Sequence, residues 1–405
     1  MSDDDQLKPD ILCFSSSDWE GAWGSRQQVM LRFAKLGYRV LYVEQLAGLE
    51  HWFRHPDLRQ RRKQQHGTGV RKVDPNLWIV TPPWLLPGRY YTHAINQVNG
   101  WIIKKWIRPI LAQMNFVQPL LWLYKPEHTI LTGQFHEKLC IYHCIDEWTV
   151  GTRGRKKKVI SDLEESLLTH ASLVFANSQP TFNNKRRLNS NTYRIPSGVD
   201  VDLFKQALDQ STPVHPSLQS IPLPRIGYCG SINERLDYPL LESVVQRYPQ
   251  YSFVFVGDTY PWPPNAPHLE ILKSYPNVYF TGKFPFFEMP SLLKGFQVCL
   301  LPYVNDERGF YRSPLKLYEY MAAGKPVVST KNPEACEANQ VVYIASSKEN
   351  FIQLIQHALE QDNASAQEQR IEFAKQNSWD RRVDQMEALI IQAITKRQGL
   401  THDLR

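Results

Sequence analysis

Chemistry is densest in the run Ser313-Pro314-Leu315-Lys316-Leu317-Tyr318-Glu319-Tyr320-Met321-Ala322-Ala323-Gly324-Lys325-Pro326-Val327-Val328-Ser329-Thr330. Its pattern is a helix opened near Pro314 and closed by Gly324, feeding a buried strand. In open α/β sheets, ligands bind beyond the strand carboxyl ends, where helix N-termini face bound anions. The amides following Ser313 are therefore candidates to face a diphosphate, with Lys316 as an added cation. Glu319 is a candidate acceptor for vicinal hydroxyls, as a carboxylate serves for ribose. The plain alternative is an ordinary helix–strand unit with Lys316 and Glu319 solvated.

Two further places invite chemistry. Asp18-Trp19-Glu20-Gly21-Ala22-Trp23-Gly24-Ser25-Arg26 lies between a strand and a helix start, and its glycines permit close backbone approach. It is not the Gly-x-Gly-x-x-Gly of dinucleotide binders, which counts against a dehydrogenase. Tyr142-His143-Cys144-Ile145-Asp146-Glu147-Trp148 ends a strand, where acid–base groups belong. Asp146 is the preferred carboxylate and His143 the second candidate; a satisfied structural histidine is the competing reading for His143.

The elements that must position these residues repeat one theme. Strand Ile11–Ser15, helix Arg26–Leu36 closed by Gly37, and strand Arg39–Glu44 predict a parallel sheet with both faces covered. Further strands are expected at Leu77–Thr81, Leu139–Cys144, Leu173–Ala176 and Tyr193–Ile195. A long helix is expected over Arg89–Met114, with Tyr91, Ile95, Val98, Ile102, Trp106 and Ile110 on one stripe. Asp209–Ser217 and Ile221-Pro222-Leu223-Pro224 read as an extended linker. The pattern then restarts with strands at Arg225–Cys229, Tyr251–Val256, Val278–Thr281, Val298–Leu301 and Pro326–Ser329. The expected organisation is an N-terminal domain over 1–208, a linker over 209–222, a second domain over 223–378, and a C-terminal helix and tail over 379–405. That last helix either crosses back onto the first domain or is an ordinary outer helix.

Composition sets the frame. At 405 residues, with 42% hydrophobic and 21% charged residues, the chain is sized for two or three folded domains. The net charge of +7 is uneven. Arg54, Arg59, Arg61, Arg62 and Lys63 form one basic run, and Arg153, Arg155, Lys156, Lys157 and Lys158 another; both read as solvated faces or as contacts to anionic lipid or phosphate. The six cysteines lack zinc-site spacing and suit a reducing cytoplasm. No stretch approaches the ~18 apolar residues of a spanning helix. Trp101, Lys104, Lys105, Trp106 and Arg108 have the composition of an interfacial helix on anionic lipid, or of a core helix with a basic edge.

The Ser313–Thr330 stretch resembles the nucleotide-binding segment of GT-B glycosyltransferases, especially the family 4-like branch of bacterial polysaccharide enzymes in teichuronic-acid and exopolysaccharide clusters. Other pieces fall in the family's order. These are Ala176-Asn177-Ser178, Pro196-Ser197-Gly198-Val199-Asp200, Gly227-Tyr228-Cys229-Gly230-Ser231, Phe253-Val254-Phe255-Val256-Gly257-Asp258 and Asn277–Gly282. The resemblance implies two Rossmann-like, doubly wound α/β domains facing a cleft. It implies donor contacts at Gly230, Ser231, Arg235, Ser313, Pro314, Leu315, Lys316 and Glu319, with Arg235 as the second cation on the diphosphate. It places Gly21, Gly24, Ser25 and Arg26 on acceptor or donor phosphate. The position eight before Glu319, where such enzymes usually carry a first glutamate near the donor sugar, is Tyr311.

The implied function is transfer of a sugar from a nucleotide-diphosphate donor to a glycan or lipid-linked acceptor, without a metal, a separate cofactor or a nucleic-acid partner. The implied location is the cytoplasm, with peripheral contact at the inner membrane face. A GT-B sugar-nucleotide epimerase, and a non-catalytic scaffold that kept the fold, are the alternatives; nucleotide binding followed by donor turnover separates them.

Overall fold

The computed structural model describes residues 8–21, 23–50, 59–60, 62, 69–259 and 266–402. The chain forms two compact units. One takes the chain up to Pro196 together with the segment from Val383 onward; the other is Ser197–Arg382.

The first unit is built on a sheet of eight described strands: β1 (Ile11–Phe14), β2 (Val40–Val43), β3 (Arg71–Asp74), β4 (Leu77–Val80), β5 (Leu120–Leu123), β6 (Leu139–Cys144), β7 (Leu173–Ala176) and β8 (Thr192–Arg194). Their order is β3-β4-β2-β1-β5-β6-β7-β8. All neighbours are parallel except β3 against β4. Strands β1, β2 and β5 are buried at every position, as apolar runs covered on both faces must be. The order reverses between β1 and β5, so their carboxyl ends form the switch-point crevice of this sheet.

The second unit carries β9 (Arg225–Cys229), β10 (Ser252–Val256), β11 (Val278–Gly282), β12 (Val298–Leu301), β13 (Val327–Ser329) and β14 (Tyr343–Ile344). The sheet is all parallel, in the order β11-β10-β9-β12-β13-β14. Its switch point lies between β9 and β12. Apolar layers cover both faces: Leu292, Phe296, Leu317 and Met321 belong to one, Leu241, Val244, Phe351 and Ile355 to the other.

Several expectations are corrected. Residues 197–222 belong with the second unit and not with the first domain or a linker. Val199, Phe204, Ala207, Leu218 and Ile221 are buried in one cluster with Leu292, Phe296 and Leu317. Proline and polar residues mark the turns there, while the intervening apolar side chains insert into the core. The C-terminal helix, Trp379–His402, leaves the second unit and joins the first from Val383. Lys8 pairs with its Glu387 at 2.8 Å.

The long helix, His93–Gln113, buries Asn96, Asn99, Gly100, Ile103, Ile107 and Leu111, one position round from the expected stripe. Tyr91 and Val98 are exposed. The rotation follows from two contacts that apolar periodicity does not encode. A β-carbon on Gly100 would meet Ile130 Cδ1 at 1.9 Å, so this face must lie closest to the neighbouring turn. Asn99 accepts from Leu86 N at 2.8 Å and donates to Leu86 O at 3.0 Å, satisfying a loop backbone.

Arg62 is another correction: it is buried, not solvated. It donates to the carbonyls of Gln45 and Pro82 and lies over the Trp84 ring, 4.8 Å from its centroid. Arg54, Arg61 and Lys63 of the same run lie outside the described residues.

Candidate functional site

In the second unit, three strands end in glycines of positive φ: Gly230 after β9 (148°), Gly257 after β10 (147°) and Gly282 closing β11 (81°). Gly230 N donates to Val256 O at 2.7 Å, and Gly257 N to Gly282 O at 2.8 Å. A β-carbon on Gly257 would lie 2.0 Å from Gly230 O, so only glycine lets these strand ends stack. Ser231, next along, is exposed.

Lys316 crosses the bare α-carbon of Gly230, where a β-carbon would meet Lys316 Cε at 1.8 Å. Its Nζ lies 5.8 Å from the Tyr228 ring centroid. Arg235 is exposed, at the start of the connection leading from β9, and its charge also acts on Tyr228. Arg235 O accepts from Val304 N at 3.0 Å, which fixes this segment beside the end of β12. The two expected cations thus converge on the switch point.

The Leu315–Ala322 helix opens at Pro314, which provides no side-chain cap. Helix geometry leaves the Leu315 and Lys316 amides without intrahelical acceptors. Tyr320, on the buried face, fixes the helix to the end of β9: its hydroxyl accepts from Cys229 N at 2.8 Å. Tyr318 anchors the other side by donating to Glu334 at 2.5 Å. Glu319 is partly exposed. Burial pushes its pKa up to about 7, with Lys316 drawing it back down. A carboxyl and a cation one turn apart on the same helix offer an acceptor and a positive charge to an incoming ligand.

In the first unit, Arg26 stands in the first turn of the Ser25–Lys35 helix, which follows β1. Its Nε donates to Ser17 Oγ at 2.9 Å, and its charge acts on Tyr124 and His143. Gly24 N is held by Gln27 Oε1 at 3.2 Å, and Gly21 N by Asp18 O at 3.2 Å. Ser25 is half-buried. Asp146 is exposed just beyond β6. His143 is buried within β6 against Trp122, Tyr124 and Phe175, at ring distances of 5.8, 5.0 and 6.0 Å. Burial, with Arg26 nearby, holds its pKa down to about 3. A neutral imidazole in an aromatic box fits packing better than proton exchange.

Among the described residues no group of three or more His, Cys, Asp and Glu side chains could hold a metal ion.

Residues 224–361 match the family described as Glycosyl transferases group 1. The chain is 26% identical over 293 residues to the Bacillus subtilis (strain 168) protein carried under the name of teichuronic acid biosynthesis glycosyltransferase TuaH, covering 66% of this chain and 71% of that one. The sucrose-phosphate synthase (tll1590) structure from Thermosynechococcus elongatus aligns with a TM-score of 0.70 at 16% identity, over 96% of this chain and 100% of that one. The Anabaena Alr3699/HepE complex with UDP and glucose aligns at 0.62 and 17%, over 95% and 100%. The E. coli trehalose-6-phosphate protein bound with UDP-2-fluoro glucose aligns at 0.68 and 12%, over 95% and 99%.

The chain has the fold of these solved structures, and its second unit resembles the group 1 glycosyl transferases.

Within the matched segment lie Gly230, Ser231, Arg235, Ser313, Pro314, Leu315, Lys316 and Glu319. Gly230, Lys316, Glu319 and Arg235 come together at the β9–β12 switch point. Ser313 is buried and spends its polar atoms on Ser197. Sequence reasoning missed β5 and the buried polar group that follows it. There Glu127 accepts from Tyr90, stands 3.5 Å from Arg89 Nε and 3.8 Å from Lys125 Nζ, and is pulled down to about 2: burial opposes the shift, and Lys125, His128 and Arg89 together outweigh it. The signal was the run Leu-Leu-Trp-Leu-Tyr over 120–124, too short for periodicity to separate strand from helix.

Proposed function

We propose that this protein is a glycosyltransferase that moves a sugar from a nucleoside-diphosphate donor to a glycan or lipid-linked acceptor in cell-surface polysaccharide synthesis. The observation that carries the donor half is the pair Lys316 and Glu319 beside the bare Gly230 backbone. In this reading the free amides of the Leu315–Ala322 helix, Lys316 and Arg235 take the diphosphate, and Glu319 takes the ribose hydroxyls. The UDP and UDP-sugar ligands named for the HepE and E. coli structures support a nucleotide-sugar donor, and the relative's name supports a polysaccharide product.

Positive groups held in place before reaction would stabilise the charge that develops on the departing nucleoside diphosphate. Asp146 is the carboxylate assigned to the acceptor hydroxyl, and Gly21, Gly24, Ser25 and Arg26 are assigned to a phosphate of acceptor or donor. Thermal shift with UDP, GDP and TDP, followed by turnover assays with the matching sugar nucleotides and polyprenyl or glycan acceptors, tests the reading. Stabilisation by none of the three sinks it; binding without turnover favours a scaffold.

Peripheral contact with the inner face of an anionic membrane is part of the same proposal. Trp101 is 55% exposed and Tyr91 54%, and Lys105 Nζ lies 4.4 Å from the Trp101 ring centroid. The second basic run adjoins this surface: Lys156 Nζ lies 5.7 Å from the Tyr90 ring centroid, and His93 stands 3.5 Å from Asp162. Exposed aromatics interleaved with cations suit an anionic interface. No described helix is long and apolar enough to cross a membrane.

A further inference from the structure

Ser197 and Ser313 are joined by two reciprocal hydrogen bonds. Ser197 N donates to Ser313 Oγ at 3.0 Å, and Ser197 Oγ donates to Ser313 O at 2.9 Å. Both residues are buried. The pairing matters because of what Ser313 would otherwise do. A serine hydroxyl readily accepts from the amide two residues on, closing a local turn. For Ser313 that amide belongs to Leu315, the first residue of the helix, since Pro314 has none. With its oxygen already accepting from Ser197, Ser313 is drawn away from that role, and the helix keeps no side-chain cap.

Ser197 is the more firmly fixed partner. Two residues on, Val199 N donates to Asn377 O at 3.2 Å, and Trp379 N donates to Val199 O at 3.0 Å. A β-carbon on the intervening Gly198 would stand 3.0 Å from Trp379 atoms, so the segment is packed against that backbone. Asp200 Oδ1 then accepts from Leu203 N at 3.1 Å, starting the next helical turn. The segment is thus held immediately after its contact with Ser313.

We propose that Ser197 is a positioning residue of the donor site, holding Ser313 so that the Leu315 and Lys316 amides stay open to the donor's phosphates. This rests on the donor reading above. Ser197 touches no substrate in this role; it acts through Ser313.

The test uses the full chain and the nucleoside diphosphate that binds best among UDP, GDP and TDP, each compared with its own nucleoside by competition calorimetry. Ser197→Ala keeps the amide that Ser313 Oγ accepts from but removes the hydroxyl that holds Ser313 O, leaving the Ser313 backbone free to turn toward the helix start. It should weaken the diphosphate about fivefold, the scale of one hydrogen bond lost, and leave the nucleoside unchanged. Ser197→Thr, which keeps the hydroxyl, should restore the diphosphate affinity. In turnover the loss should fall on the donor KM more than on kcat. A Ser197→Ala protein with a lowered Tm but an unchanged diphosphate-to-nucleoside ratio overturns the inference and leaves the donor reading standing. A wild-type chain that binds none of the three diphosphates overturns both.

Discussion

Lys316 lies across the α-carbon of Gly230, so close that a β-carbon there would sit 1.8 Å from its Cε. The glycine is thus needed twice: for its positive φ and for the passage of the lysine chain. Gly230→Ala should cost about 1–3 kcal/mol in backbone strain, and should also push Lys316 from its place. Denaturant unfolding and nucleoside-diphosphate calorimetry on the same preparation check this. Unchanged affinity would detach Lys316's position from donor binding.

Lys316→Met removes the charge while keeping most of the side chain's length. Loss of a charge-assisted contact should weaken a nucleoside diphosphate by about 1.5–3 kcal/mol and its nucleoside far less. Because Lys316 draws the Glu319 pKa down, the same change should raise the pH at which Glu319 ionises. A carbon-13 label on the Glu319 carboxyl, followed by NMR titration, reads that shift directly.

Glu319 also makes binding and stability depend on pH in opposite senses. Its pKa is raised from 4.5 to about 7. Between those values the folded chain holds a proton that the unfolded chain releases. Stability from this group is therefore full below 4.5 and is lost as pH rises through 7. In the proposed donor role Glu319 takes the ribose hydroxyls in its ionised form, so on that reading nucleotide affinity should increase from pH 6 to pH 8. Glu319→Gln should flatten both trends; a Gln variant with the wild-type pH profile would exclude Glu319 as their source.

His128 and His143 predict a separate, acidic effect. Both are buried and depressed from 6.5 to about 3, His128 by desolvation against the pull of Glu127, and His143 by desolvation with Arg26. Unfolded histidines take up protons below about 6.5 while these stay neutral. Their stabilising share is present above pH 6.5 and is lost as pH falls toward 3, by up to about 1.4 kcal/mol per pH unit for each. Urea unfolding of His128→Leu from pH 7 to pH 4 should show a shallower slope than the parent; equal slopes would count against it.

Lys185 bridges two buried carboxylates, 2.7 Å from Glu147 and 2.9 Å from Glu164, while Tyr142 donates to Glu164 at 2.7 Å. Lys185→Met strands both charges and should cost about 3–5 kcal/mol. Adding Glu147→Gln and Glu164→Gln to it should recover part of that loss, because neutral amides need no counter-ion. Additive losses in denaturant unfolding would show that the three side chains do not act as one group.

What the amino-acid order determined by itself was local. The strand–turn–helix alternation, the glycines closing β9 and β10, and the Lys316–Glu319 spacing are all written within a few residues of one another. Nearest-neighbour sterics and apolar periodicity are enough to read them. The tertiary structure decided whatever depended on a distant partner. The His93–Gln113 helix turned one position because Ile130 sits against Gly100 and because Leu86 needs Asn99. Arg62 went inside because carbonyls at Gln45 and Pro82 were left to accept from it. His143 ended a strand as expected, but Trp122 on the unread neighbour β5 closed over it. Residues 209–222 look like a linker until Leu292 and Phe296 supply the core that buries Leu218 and Ile221. Burial is a property of the surface brought opposite a residue, and that surface comes from elsewhere in the chain.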